Sequence, residues 1–152
     1  MSRLPAPAKV NLALVVGPRR ADGHHEVVTV LQRIDLTDRV TIGTGTSLAV
    51  SGFAGDTLVR RALEWLAAAA GVEPNWHARI EKRIPLASGL GGGSSDAATA
   101  LVLANRTLDV PLDPEVLHEV AASLGADVPF FLRHGPALGT GTGMELVDLE
   151  LL

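Results

Sequence analysis

This 152-residue chain has no cysteine and no tyrosine. Without thiols it can form no disulfide, no thiolate metal site and no cysteine nucleophile, which agrees with a reducing compartment. No uninterrupted apolar run is long enough to cross a bilayer. Met1 to Lys9 carries Pro5 and Pro7 rather than the apolar stretch of a secretory signal. A cytoplasmic location with no membrane partner is therefore expected. Basic charge is also scarce: 13 Lys and Arg against 17 Asp and Glu leave a formal charge of -4. That balance argues against a nucleic-acid partner, although local backbone dipoles can still hold one nucleotide. Internal repeats and low-complexity tracts are missing too.

What is present is 47% hydrophobic and 20% charged, the composition of a packed globular core. The length fits one domain able to bury roughly two thirds of its unfolded surface. Val10, Leu12, Leu14 and Val16 alternate with Lys9, Asn11 and Ala13 as on a strand, and Gly17-Pro18 is expected to break it. After the Asp22-Gly23 turn signal come β-branched runs at Val27–Ile34 and around Val40, then a strand near Leu48 and Val50. Asp56 is placed to cap a helix with Leu58, Ala62, Trp65 and Ala69 at helical spacing, ended by a left-handed Gly71. Trp65 and Trp76 read as core. Trp76, Ala78 and Ile80 alternate as a half-buried strand, a second helix runs from about Ser95 to Thr107, and a third runs from Pro114 to Gly125. Pro129 disfavours helix at Val128, which leaves Asp127 in a short, stiff, non-helical connection. The fold class is α+β, a mixed and mostly antiparallel sheet with helices on one face.

The segment Pro85-Leu86-Ala87-Ser88-Gly89-Leu90-Gly91-Gly92-Gly93-Ser94-Ser95-Asp96 lies between a strand and a helix. Glycines let the backbone curl so that successive N–H groups approach one anion. The helix aims its free N–H groups and dipole at the same place. Ser94 and Ser95 add hydroxyls able to reach phosphate or a metal ion. A flexible linker is the plain alternative. A Walker A loop would need a lysine after the last glycine, and a dinucleotide fingerprint would need a third glycine at Ser94.

At Pro85 to Ala97 the chain resembles the central motif of the GHMP kinases, in the version of the diphosphocytidyl-methylerythritol kinases. Ala6-Pro7-Ala8-Lys9-Val10-Asn11-Leu12 resembles that family's opening strand. Arg20-Ala21-Asp22-Gly23-His24-His25-Glu26 resembles its Arg-x-Asp-Gly-Tyr-His-Glu segment, with His24 at the tyrosine and no tyrosine elsewhere to stand in. Thr57 stands where the family has asparagine. Leu124-Gly125-Ala126-Asp127-Val128-Pro129-Phe130-Phe131 resembles the segment with the catalytic aspartate. The resemblance implies a GHMP N-terminal domain over residues 1–152, of ribosomal-protein-like architecture, with the family's second domain absent. It implies phosphorylation of the 2-hydroxyl of 4-diphosphocytidyl-2-C-methyl-D-erythritol by ATP with Mg2+, a step of non-mevalonate isoprenoid synthesis.

By the same resemblance, Asp127 is the base, Lys9 its cationic partner, and Asn11, His24 and His25 bind substrate. Leu58 and Lys82 border an ATP site made by Pro85, Leu86, Ala87, Ser88, Gly89, Leu90, Gly91, Gly92, Gly93, Ser94 and Ser95. Read without the motifs, Lys9 is an ordinary strand-end lysine and Asp127 a turn-capping aspartate. His24 and His25 point opposite ways on an extended chain, so no protein metal site is expected from them. Three other readings stand beside this one: a GHMP kinase for homoserine, mevalonate or a sugar; an RNA-contacting module; and a weakly active or inactive nucleotide-binding fragment. An apolar face left open by the missing domain would favour self-association.

Overall fold

A computed structural model describes residues 1–56 and 58–150; Thr57, Leu151 and Leu152 lie outside the described residues. Two long strands, β1 (Ser2–Arg19) and β2 (His25–Thr44), pair antiparallel as a ribbon. On the other edge of β2, β4 (Trp76–Glu81) pairs with residues 39–44 and β5 (Ala137–Thr140) with residues 29–31. β3 (Ala49–Ser51) adds to β4, and β6 (Glu145–Asp148) adds to β5. Only β3–β4 is parallel among the described pairings, so the sheet is mixed and mostly antiparallel.

Three helices, α1 (Leu58–Ala70), α2 (Gly92–Asn105) and α3 (Pro114–Leu124), complete the α+β fold. Asp56 caps α1 by accepting from the Val59 N–H at 3.0 Å. Gly71, at φ +68°, ends it while the Val72 N–H reaches back to the Ala67 carbonyl. α2 is buried on nearly every side, from Ser95 through Leu101. Alanines at 97, 98, 100 and 104 let it lie close against α1 and the sheet.

Several sequence expectations give way. β1 runs through Gly17-Pro18 to Arg19 because its pairing with β2 resumes at Arg19 and His25. Leu12, Leu14, Val15 and Val16 are exposed, whereas Ala6, Ala8 and Lys9 at the other half of β1 are buried. The helical layer covers only that first half, so the apolar alternation does not mark core. Trp65 is exposed as well, with the Arg61 guanidinium over its ring; the buried stripe of α1 is Val59, Ala62, Leu63, Leu66 and Ala67. α2 begins at Gly92, since Gly91 already turns left-handed before it. Val128 adopts helical angles and opens a short 3-10 helix, Pro129–Leu132, with Pro129 at the position that needs no N–H.

A buried ionic cluster ties β2, the end of β4 and α2 together. Lys82 Nζ donates to Asp38 Oδ2 at 2.5 Å and to Asp96 Oδ2 at 2.9 Å. Both aspartates are buried. Asp38 also accepts from the N–H groups of Arg83 and Ile84, which steers the chain into the glycine-rich loop. For Asp38, burial favours the neutral acid, but those donors and Lys82 outweigh it and hold the carboxyl below its usual range. Asp96 has only Lys82, and its Oδ1 has no partner. Burial therefore wins there, pushing Asp96 up to about 7.

The sign of the pH effect follows. An unfolded aspartate titrates near roughly pH 3.9, so between there and about 7 the folded chain holds a proton that the unfolded chain has released. Stability attributable to Asp96 is complete below that window, falls as pH rises through it and levels off above. Asp38, shifted the other way, costs stability only at the acid end. Thermal melts from about pH 5 to about pH 8 should show a falling midpoint in the native chain and a visibly flatter profile in Asp96→Asn. Equal slopes in the two proteins would exclude this assignment.

Candidate functional site

β4 ends at Glu81, and the chain then turns over Lys82 and Ile84 into the loop before α2. Ala87, Gly89 and Gly91 have φ of 52°, 74° and 71°. A left-handed residue at every second position is the backbone pattern that forms anion-holding concavities. The hollow beside it, about 280 Å³, is lined by Leu58, Lys82 and every residue from Pro85 to Ser94. Ser95 stands apart: it is fully buried and its Oγ has no partner. So the sequence assignment and the observed cavity share all residues but that one.

At two of the glycines a side chain would crowd its neighbours. A Cβ on Gly91 would lie 3.1 Å from Phe131 Cζ and 3.2 Å from Lys9 Cγ. A Cβ on Gly92 would lie 3.1 Å from Ile84 Cγ2 and 3.3 Å from Lys82 Nζ. Gly89 and Gly93 face open space, leaving the approach from outside unobstructed.

Lys9 sits against this loop. Its backbone N–H donates to the Leu90 carbonyl at 2.9 Å, and register shifts in β1 flank it on both sides. The side chain is buried; Nζ donates to Asn11 Oδ1 at 2.8 Å and lies 3.7 Å from Asp127 Oδ2. Lys9 and Asn11 thus share a strand face, as their spacing requires. The Asp127 side chain remains part-exposed, open to a ligand. Its segment is held by Arg33, which lies opposite Lys9 in the β1–β2 register and donates to the carbonyls of Phe130, Phe131 and Arg133. The same guanidinium stacks over the Phe130 ring at 5.6 Å.

The two histidines are not brought to this cluster. His24 and His25 are exposed at the turn of the ribbon, and Arg19, the partner of His25, is eight residues beyond Asn11 on β1. At about 3.3 Å per residue, that is roughly 26 Å along the strand. The His24 N–H donates to Asp22 Oδ1, and His25 Nδ1 lies 3.0 Å from the Gly17 carbonyl oxygen. Among the described residues no three His, Asp or Glu side chains gather as a metal site. Sequence reasoning missed Asp38, Asp96 and Arg33 as supports of the site. Asp38 is one of two aspartates between the β-branched runs of β2, and nothing local separates it from Asp35 or marks Arg33.

Comparison with known proteins agrees with this geometry. Residues 57–135 match the family model for the GHMP kinases N terminal domain. A 4-diphosphocytidyl-2-C-methyl-D-erythritol kinase of Kineococcus radiotolerans is 43% identical over 95% of this chain and 48% of its own length. That of Pelotomaculum thermopropionicum is 47% identical over 95% of this chain and 53% of its own. The chain thus spans about half the length of these curated relatives. A crystal structure of 4-(cytidine 5'-diphospho)-2C-methyl-D-erythritol kinase superposes with a TM-score of 0.89 at 40% identity, covering 99% of this chain and 56% of that one. A mevalonate kinase shares the fold, with a TM-score of 0.74 at 14% identity. These matches, on a sheet that brings a glycine-lined hollow beside a lysine–aspartate pair, place the chain in the GHMP kinases, as a member of their N-terminal domain family.

Proposed function

We propose that the chain takes part in ATP-dependent phosphorylation of the 2-hydroxyl of 4-diphosphocytidyl-2-C-methyl-D-erythritol. The observation that carries this reading is the Asp127 carboxylate 3.7 Å from a buried Lys9 ammonium, packed directly against the glycine-rich hollow. In this reading the loop Pro85–Ser94 and the N-terminus of α2 hold the ATP phosphates, with Leu58 and Lys82 at the border. Asp127 accepts the proton of the attacking hydroxyl. Lys9 offsets the charge that develops on that oxygen and the transferring phosphoryl group, and Asn11 orients the substrate. Phosphoryl transfer asks a protein chiefly for such positioning and charge stabilisation. His25, with His24 at the tyrosine position, takes the cytosine end.

Magnesium fits the donor set modestly. With no acidic cluster among the described residues, the ion would rest on the phosphates, the Ser94 hydroxyl and water, as this hard cation commonly does. When bound it would neutralise phosphate charge. The described helices include none long and apolar enough to cross a membrane. The exposed ribbon residues Leu12, Leu14, Val15, Val16 and Val28 favour self-association.

The test is ADP release from ATP and the cytidine substrate by this chain, with homoserine and mevalonate as competing acceptors. Turnover with the cytidine substrate alone, reduced roughly 10²–10⁴-fold in Asp127→Asn, is the expected result. Turnover that survives the substitution, or a preference for another acceptor, would overturn the assignment. A chain that binds ATP without turnover would favour the nucleotide-binding-fragment reading.

Gly91 supplies a second test. Gly91→Ala and Gly89→Ala both place a side chain on left-handed backbone, costing about 1–2 kcal/mol. Only the former drives a Cβ between Lys9 and Phe131. A loss in thermal midpoint is expected from both, larger in Gly91→Ala, and turnover should fall much further in Gly91→Ala than in Gly89→Ala. Equal turnover would mean that this contact does not matter.

A further inference from the structure

Asn11 is exposed on β1, yet its amide joins two partners of opposite demands. The Lys9 ammonium can only donate, so it requires the amide oxygen. That leaves Nδ2 to find an acceptor, and the acceptor is Thr29 Oγ1 at 2.7 Å. Thr29 can accept because its own proton goes elsewhere: its hydroxyl donates to the Ala13 carbonyl at 3.0 Å. The β1 register shifts between Asn11 and Ala13, where this bond is made. A reversed Asn11 amide would set donor against donor at Lys9 and, while the Thr29 hydroxyl donates to Ala13, oxygen against oxygen at Thr29.

Thr29 is also the rigid member of the set. It is buried, and it lies opposite Gly139 of β5 in the sheet register. A Cβ at Gly139 would stand 3.0 Å from Thr29 Cγ2, so the methyl group fills the space that the glycine leaves. A core-anchored hydroxyl thus restrains a surface amide, which in turn holds the lysine facing Asp127.

We propose that Thr29 is a positioning residue for phosphoryl transfer, locking the Asn11 amide so that Lys9 is held across from Asp127. The inference rests on the function proposed above, but its geometry can be tested separately. In an isotope-labelled chain, Thr29→Val should shift the Asn11 side-chain amide resonances and speed their exchange with water, and Thr29→Ser should restore both. In turnover, Thr29→Val should lower kcat roughly ten- to a hundredfold with KM for ATP unchanged, and Thr29→Ser should recover most of it. In an Asn11→Ala background, Thr29→Val should cost almost nothing more, since it acts through that amide. Unchanged amide resonances in Thr29→Val, additive losses in the double variant, or no recovery by serine would each overturn the inference. If the native chain transfers no phosphate, the proposed function fails for this chain, and the resonances alone decide the role of Thr29.

Discussion

Lys82 lies between two buried carboxylates, and the course of the chain from sheet to glycine-rich loop depends on it. Asp38 comes from β2, Asp96 from the second turn of α2, and Lys82 from just past the end of β4. Buried ions carry a large desolvation cost, and removing one member of such a set leaves an uncompensated charge. The arrangement is asymmetric. Asp38 is met by two backbone donors besides the lysine, whereas Asp96 keeps an oxygen without a partner. One cation cannot fully serve two carboxylates, so a proton settles on the poorer-served one near neutrality. The same contacts bring Lys82 to the rim of the hollow, so structural and ligand-facing roles meet in one side chain.

The pieces of the candidate site come from three places in the chain, and glycine governs how closely they meet. Lys9 on β1, Leu90 and Gly91 in the loop, and Phe131 after α3 converge on a point where a side chain at position 91 would crowd both Lys9 and Phe131. This explains the spacing of the motif better than flexibility does. Gly91 and Gly92 are fixed by neighbours, while Gly89 and Gly93 leave the hollow open.

Much of this was legible in the sequence, and the failures have physical causes. Capping and stop signals placed α1 and α3, because Asp56, Gly71 and Pro114 act locally. The hollow of the glycine-rich segment was legible for the same reason: its lining is consecutive backbone. Alternation in β1 was read correctly as strand, but it could not show that Leu12, Leu14 and Val16 lie exposed, since periodicity gives direction and not what lies opposite. Trp65 failed likewise, its apolar body lying under Arg61 at the surface. Val128 entered a helical conformation because the tertiary packing of Phe130 and Phe131 outweighs the preference of a residue before proline. Arg33 and Thr29 were invisible, since their partners are distant in sequence.

The Arg33 clamp has a consequence for the order in which the molecule can form. The β1–β2 ribbon closes through a short turn, and the loop before α2 is local to its own helix. Arg33 meets Phe130 only across 97 residues. Closing so long a loop carries an entropic cost before its contacts return any stability. During synthesis the cradle and the lysine therefore exist as backbone and strand well before the aspartate can be delivered to them. A chain halted short of Phe130 would contain the glycine-rich loop and Lys9 but none of the carbonyls through which Arg33 ties down the segment of Asp127.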